Sequence, residues 1–259
     1  MDLGIAGRHA LICGASRGMG RAVAQLLAKE NVNLTLIARN PDTLGETLNL
    51  LETTPSQHVT YIAADLTHES ERQRVFSTCA PPDILINNGA GMPPGDFRLW
   101  QREDWLKGLD TMMLAPIDMI RLSIDGMIER KFGRIVNLAS RSVKTPQAEM
   151  GLSNAARTGL VSFSAGLARQ VVSHNVTINN VLPGIIDSDA QYAHVHDLAR
   201  RSHKSYDEIW QERALRNPAG RYGSPMEVAA AVAFFCSHAA GFTTGQSLLV
   251  DGGDYNGIF

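Results

Sequence analysis

The sequence is short of several things at once. Only three cysteines, Cys13, Cys79 and Cys236, occur in 259 residues. Their number is odd and none has metal-ligand spacing, so neither a disulfide framework nor a metal site is expected, and a reducing cytoplasm is the expected setting. Charge of one sign is scarce too, with 24 Lys and Arg against 26 Asp and Glu. That balance offers no basic surplus to a phosphate backbone or an anionic membrane, so neither nucleic acid nor membrane is expected as a partner. No apolar run approaches the roughly 18 residues that span a bilayer. The opening Met1-Asp2-Leu3-Gly4-Ile5 passes at once into Gly7-Arg8-His9, so no secretory leader is expected. What the chain does have is 44% hydrophobic residues with 19% charged. At this length one globular domain buries roughly 70 to 75% of its unfolded surface, which argues against disorder and coiled coil.

Apolar runs of strand length alternate with segments of helical period, the pattern of a parallel sheet covered by helices on both faces. Strands are predicted at His9 to Cys13, Asn33 to Ala38, His58 to Ala63, Ile84 to Asn87, Arg134 to Ala139, Thr177 to Leu182 and Ser247 to Val250. Helices are predicted near 19–30, 41–52, 68–79, 102–130, 152–174 and 225–238. The fold class is therefore α/β: a single Rossmann-type doubly wound domain over 1–259, with a seven-stranded parallel sheet. One stretch, 185–221, breaks the alternation, carrying Asp187, Asp189, His194, His196 and His203 with weak periodicity. An insertion at the carboxyl end of a strand is either a substrate lid or a solvated helical hairpin used in subunit packing.

Directly after the first strand comes Gly14-Ala15-Ser16-Arg17-Gly18-Met19-Gly20, and then a helical stretch. Glycines there let the backbone turn tightly and approach a pyrophosphate, which amide groups and the positive end of the helix then hold. The second strand ends in Ala38-Arg39-Asn40 with no acid at its tip. A carboxylate at that point would grip a free ribose 2′-hydroxyl, whereas Arg39, supported by Arg17, suits a 2′-phosphate, so the expected cofactor is NADP(H). The alternative is that Arg39 pairs with an acidic neighbour such as Asp42.

Further pieces follow in order: Asp65-Leu66 after the third strand, Asn87-Asn88-Gly89-Ala90 after the fourth, Ser140 after the fifth, Pro183-Gly184 after the sixth, and Thr244-Gly245 with Asp251-Gly252-Gly253 at the end. With these, from about Leu3 onward, the sequence resembles the short-chain dehydrogenase/reductase family. The resemblance implies that Asp65 and Leu66 contact the adenine, that Asn88, Gly89 and Ala90 lie along the adenosine half, and that Pro183, Gly184 and Ile186 flank the nicotinamide. Read locally, Asp65 is equally a cap for a helix near Thr67, and Pro183-Gly184 an ordinary turn.

The resemblance also implies four catalytic side chains: a serine, a tyrosine, a lysine four residues after it, and an asparagine. Ser140 fills the serine place, but Ser153 stands where the tyrosine belongs, Arg157 where the lysine belongs, and Met112 where the asparagine belongs. The chain is thus an atypical member. A serine hydroxyl is too weak an acid to replace a phenol, and an arginine binds a ribose and holds charge without shuttling protons. Lys144, in the loop after Ser140, is a candidate proton donor if desolvated, and Tyr192, His194 and His196 are further candidates.

The loop Gly91-Met92-Pro93-Pro94-Gly95-Asp96-Phe97 is stiff, and is either a pocket wall or a rigid connector. With Met150, Leu152 and the insertion it would bound a mostly apolar pocket for a small molecule. Apolar stripes in 102–130 and 152–174 are core by default. They are richer than one sheet face requires, and the resemblance implies a homo-oligomer, dimer or tetramer, built on this pair. The expected activity is NADP(H)-dependent hydride transfer at a carbonyl or secondary alcohol. A non-redox lyase or hydratase and a catalytically silent NADP-binding protein remain as alternatives, because one fold hosts many activities.

Overall fold

The computed structural model describes residues 2–258. Strands β1 (His9–Cys13), β2 (Asn33–Ala38), β3 (Val59–Ala63), β4 (Ile84–Asn87), β5 (Gly133–Leu138), β6 (Val176–Pro183) and β7 (Ser247–Val250) form one sheet in the order β3-β2-β1-β4-β5-β6-β7. Every pairing is parallel. The connections run through α1 (Gly18–Lys29), α2 (Pro41–Asn49), α3 (Glu69–Thr78), α4 (Arg102–Leu109), α5 (Ala115–Glu129), α6 (Gly151–Val171), α7 (Asp189–Ser202), α8 (Tyr206–Arg216) and α9 (Pro225–Cys236). The winding reverses between β1 and β4, so a crevice opens at the carboxyl ends of these two strands, where doubly wound sheets bind ligands.

Alternate strand residues feed two cores. Ala10, Ile12, Leu34, Leu36 and Ile86 pack with Val23 and Leu27 of α1 and Val228, Val232 and Phe235 of α9. Leu11, Ile37, Leu85 and Ile135 pack on the other face with Met119 and Ile120 of α5 and Ala168 and Val171 of α6. Burial on both faces is why these strands read as unbroken apolar runs.

A polar chain crosses this apolar sheet. Asn87, Asn137 and Asn180 stand in register on β4, β5 and β6. Asn87 Nδ2 donates to Asn137 Oδ1 at 2.9 Å, and Asn137 Nδ2 donates at 2.9 Å both to Asn180 Oδ1 and to Ser164 Oγ on α6. Buried amides are tolerated only when paired in this way, and the pairing fixes α6 against the sheet.

Two predictions change in detail. The helix expected over 102–130 is divided, with a π-helical turn at Asp110–Leu114 between α4 and α5. Pro116 has no amide proton, and its ring crowds the carbonyl of Met112, so the ladder widens there. The 185–221 stretch holds two helices, α7 and α8, despite its weak periodicity, because they pack largely on each other around Val195, Ala199 and Ile209. Among the described residues, no helix is long and apolar enough to cross a membrane.

Candidate active site

The turn after β1 is built for close approach. Gly14 and Gly18 sit at φ +63° and +55°, a region that disfavours side chains. A Cβ on Gly20 would lie 2.1 Å from the Gly14 carbonyl oxygen, and one on Gly14 would lie 2.7 Å from Asn88 Nδ2. Asn88 Nδ2 donates to Gly14 O at 3.2 Å, tying the end of β4 to the turn, while Thr47 Oγ1 donates to Ser16 O at 3.1 Å. Helix α1 starts after Arg17 with no side-chain cap and no acidic residue in its first turn. Its leading amides and positive dipole end therefore remain for an anion, and this cradle fits the pyrophosphate of a dinucleotide.

Arg39, at the tip of β2, is exposed and forms no ion pair among the described residues, so the pairing with Asp42 is absent. Arg17 lies 3.6 Å from Asp189 at the start of α7. Asp65 Oδ1 accepts from Thr67 N at 3.0 Å and Thr67 Oγ1 at 2.8 Å, a local turn, whereas α3 itself begins only at Glu69. Partial burial opposes ionisation of Asp65, but the Thr67 donors and the Arg39 charge hold its carboxyl below the usual range. The carbonyl of Leu66 accepts from Arg72 Nη1 at 2.8 Å.

At the carboxyl end of β5, Ser140 Oγ accepts from the Ser142 amide at 3.2 Å, capping a short 3₁₀ turn over Arg141–Val143. Ser153 and Arg157 lie one turn apart on α6, and Arg157 Nε donates to Ser153 Oγ at 3.1 Å. Arg157 Nη1 donates to the carbonyls of Leu138 and Ala139 at 3.0 and 2.9 Å, the two residues before Ser140. Loss of hydration lowers the Arg157 guanidinium to about 10, which still leaves it cationic at neutral pH. Met112 is buried in the π-helical turn. Lys144 Nζ lies 5.5 Å from the centre of the Tyr255 ring, and Arg141 pairs with Asp254.

The insertion closes on itself at its base, where Asp187 N donates to Gly223 O at 2.8 Å and Gly223 N to Ile185 O at 3.0 Å. Gly184 packs so closely on the residue after β7 that a Cβ would stand 2.7 Å from Asp251 Cα. A cleft of about 360 Å³ separates α1, the insertion and α9, lined by Gly18, Arg21, Asp187, Asp189, Tyr192 and Met226 among others. The Tyr192 hydroxyl donates to Asp187, and this hydrogen bond, more than the carboxylate's charge, pushes the phenol up to about 12. His194 is held below its ordinary value by burial and by Arg213 and Arg201, against the pull of Asp197 and Glu149. The His196 ring packs at a tilt of 39° against Tyr206, with centroids 4.5 Å apart. The stiff loop after β4 is tied down, with Gly95 N donating to Glu149 O at 2.8 Å just before α6.

Three relationships were not legible beforehand: the Asn87–Asn137–Asn180 chain, the Asp187–Tyr192 bond and the Arg17–Asp189 pair. The first had a signal, an asparagine in each of three mostly apolar runs. The second joins residues only five apart but across the start of α7, and the third joins segments far apart in sequence, so neither had one.

A family model described as "Enoyl-(Acyl carrier protein) reductase" matches residues 14–254. The NADPH-dependent reductase BacG of Bacillus subtilis (strain 168) is 31% identical over 256 residues, covering 97% of this chain and 99% of that protein. The chain belongs to the short-chain dehydrogenase/reductase family. The 3-oxoacyl-[acyl-carrier-protein] reductase FabG of Vibrio harveyi is likewise 31% identical, over 98% of this chain and 99% of its own. Among solved structures, L-sorbose reductase from Gluconobacter frateurii complexed with NADPH and L-sorbose superposes with a TM-score of 0.93 at 28% identity, with both chains covered in full at 100%. An actinorhodin polyketide ketoreductase variant with NADPH gives 0.89 at 29% identity, over 97% of this chain and 98% of that one.

Proposed function

We propose that this member of the family is an NADP(H)-dependent oxidoreductase that moves a hydride between the nicotinamide and a small, mostly apolar carbonyl compound or secondary alcohol. The observation that carries the reading is the uncapped start of α1 beyond a glycine turn locked to Asn88, at the same sheet edge as Ser140, Ser153 and Arg157. The cofactor is NADP(H). Gly14, Ser16, Gly18, Met19 and Gly20 hold its pyrophosphate through backbone groups, Arg17 and Arg39 its 2′-phosphate, and Asp65 and Leu66 its adenine. Asn88, Gly89 and Ala90 line the adenosine half, and Pro183, Gly184 and Ile186 the nicotinamide side. The cofactor supplies or accepts the hydride, and the protein supplies position and charge.

Ser140 orients the substrate oxygen. Arg157 binds the nicotinamide ribose and places a positive charge beside Ser153. Water supplies the proton, with Lys144 placed over the Tyr255 ring instead. Pro93, Pro94, Met150 and Leu152 wall the pocket, and the 185–221 insertion covers it as a lid. Exposed Trp105 and Leu106 on α4, Leu114 in the π-helical turn and Phe163 on α6 form the face on which two copies associate. Light scattering at micromolar concentration tests this, with a monomer the contrary result.

The test of function is stopped-flow absorbance at the reduced-nicotinamide band with aldehydes, ketones and their unsaturated analogues. Oxidation of NADPH coupled to product supports the reading. Product without an absorbance change would assign the non-redox chemistry that an oxyanion-binding Ser153–Arg157 pair also suits. Tight NADPH binding with no product would leave a silent binding protein.

A further inference from the structure

We infer that Asp254, in the segment after β7, is a positioning residue for the reaction: it holds Arg141, and through Arg141 the turn that carries Ser140. This rests on the reading of Ser140 as the group that orients the substrate oxygen, and it adds to the site a wall which that reading leaves out.

Glycines bring the segment there. Gly252 and Gly253 stand at φ +68° and +84°, so the chain reverses directly after β7. Asp251 closes the reversal, its Oδ1 accepting from Gly253 N at 3.1 Å and its Oδ2 from Tyr255 N at 3.0 Å. The reversal is pressed against the end of the insertion, where Asn217 Nδ2 donates to Asp251 O at 2.8 Å and a Cβ on Gly252 would overlap Asn217 Oδ1. Asp254 and Tyr255 are thereby returned to the 3₁₀ turn after Ser140. There Asp254 pairs with Arg141, and the Tyr255 ring centre lies 5.5 Å from Lys144 Nζ. Arg141 and Lys144 are three residues apart, so this one turn presents both cations to the segment.

Arg141 is the hub of the turn. Its carbonyl accepts from Lys144 N and Thr145 N, both at 2.9 Å, while Val143 N donates to Ser140 O at 3.1 Å and Ser142 N to Ser140 Oγ at 3.2 Å. A displacement of Arg141 therefore moves Ser140. On the other side of Ser140, Arg157 Nη1 holds the carbonyls of Leu138 and Ala139. One guanidinium thus fixes the chain before Ser140 and a second fixes the turn after it.

Asp254 decides whether the second stays. The Arg141 and Asp254 side chains are only 18% and 25% exposed, unlike the exposed Arg17–Asp189 pair, so water screens them little. Burial first, and then the charge of Arg213, lower the Arg141 guanidinium from its usual value, while Asp251 offsets them in part. Without Asp254 a largely buried cation would face Arg213 with Asp251 as its remaining counter-charge. Its swing toward water would carry the turn with it. Arg141 follows Ser140 by one position, and Asp254 follows Asp251-Gly252-Gly253 by one. The pair therefore lies beside the pieces that carry the family resemblance rather than in them.

Hydrogen exchange on the full chain, read by mass spectrometry, tests the placing. In Asp254→Asn, peptides covering Ser142 to Thr145 are expected to exchange at least about tenfold faster, on the scale of one hydrogen bond to a charged group. Peptides covering 14–29 should be unchanged, and Asp254→Glu should restore most of the protection. Adding Arg141→Gln to Asp254→Asn should also slow the exchange again, because it removes the uncompensated cation and leaves an amide pair. Unchanged exchange at 142–145 in a folded Asp254→Asn overturns the inference. So does acceleration spread evenly over the chain, or a double variant as loose as the single one. Should Asp254→Asn fail to fold, the double variant is expected to fold with near-native protection at 142–145, and its failure to do so is likewise contrary.

Steady-state kinetics test the link to Ser140, with 4-phenyl-2-butanone as probe, or the fastest carbonyl compound of the stopped-flow panel if that ketone is not turned over. In Asp254→Asn, kcat should fall by about tenfold or more, with KM and the NADPH dissociation constant within about twofold, because a misplaced reacting group costs rate more than binding. A kcat unchanged while 142–145 is loosened overturns the inference. If no carbonyl compound is turned over, the oxidoreductase reading falls, and the exchange result alone decides whether Asp254 holds the turn.

Discussion

Arg157 Nε donates to Ser153 Oγ at 3.1 Å while its Nη1 spans the carbonyls of Leu138 and Ala139, so one guanidinium couples α6 to the end of β5. No lysine can make all of these contacts, because an ammonium is a point donor and a guanidinium a planar fork. Arg157→Lys is expected to weaken NADPH binding by about tenfold and Arg157→Met by more, on the scale of hydrogen bonds to charged groups. Fluorescence titration measures both. The pH dependence has a definite sign. Burial depresses the guanidinium to about 10, and binding needs the charged form. Affinity should therefore stay level below pH 9 and fall as pH rises through about 10, a limb missing from Arg157→Met.

Gly20 admits no side chain, since a Cβ there would stand 2.1 Å from Gly14 O, a backbone atom that cannot swing aside. Gly20→Ala must therefore displace the turn or the start of α1. NADPH affinity is expected to fall by at least about 100-fold, as several charge-assisted amide contacts are lost together. A drop of less than about threefold would mean that the turn does not hold the pyrophosphate.

Arg39 is exposed, and its charge is felt by Asp65. A 2′-phosphate would give it a strong partner, so Arg39→Ala should raise the dissociation constant for NADPH by about tenfold or more and leave that for NADH nearly unchanged. Parallel titrations with the two coenzymes check this. Equal effects on both would move the 2′-phosphate site away from Arg39.

Lys144 lies over the Tyr255 ring, on the side of the loop where Arg141 pairs with Asp254. In that place it braces the C-terminal segment. Lys144→Met should keep turnover well within the about 100-fold that loss of a general acid costs. A larger loss in kcat, with NADPH affinity intact, would give the ammonium the proton-donating role.

The sheet and the glycine turn after β1 were legible because each rests on local physics: runs buried on both faces, and glycines where a turn meets a helix. Strand ends moved by only a residue or so, as at β5, which spans Gly133–Leu138. The division of the long helix was less legible, since Pro116 was present but apolar periodicity ran straight through it. The residues standing where the family resemblance implies catalytic side chains could be read by counting. Their mutual geometry could not, because the hydrogen bond from Arg157 to the Ala139 carbonyl joins residues 18 apart and exists only once α6 is docked. The helices of the insertion were hidden for a related reason, since they bury only a few residues against each other.

That docking depends on Asn137. Its amide bonds Asn87, Asn180 and Ser164, and all four side chains lie in the buried interior. Asn137→Ala would leave Asn180 Oδ1 and Ser164 Oγ without that donor and Asn87 Nδ2 with the Pro116 carbonyl alone, each buried group left unpaired costing about 1 to 3 kcal/mol unless water enters. The expected loss is about 3 kcal/mol, or roughly 6 to 12 °C in Tm for a chain of this size. Asn137→Leu should be no better, because it restores volume without restoring hydrogen bonds. Ser164 lies on the same helix as Arg157, seven positions further on, so the loosened helix should also weaken NADPH binding at temperatures where the variant is still folded. Differential scanning calorimetry and coenzyme titration at 15 °C separate the two effects. A variant with lowered Tm but undiminished affinity would show that the asparagine chain supports the fold without positioning Arg157.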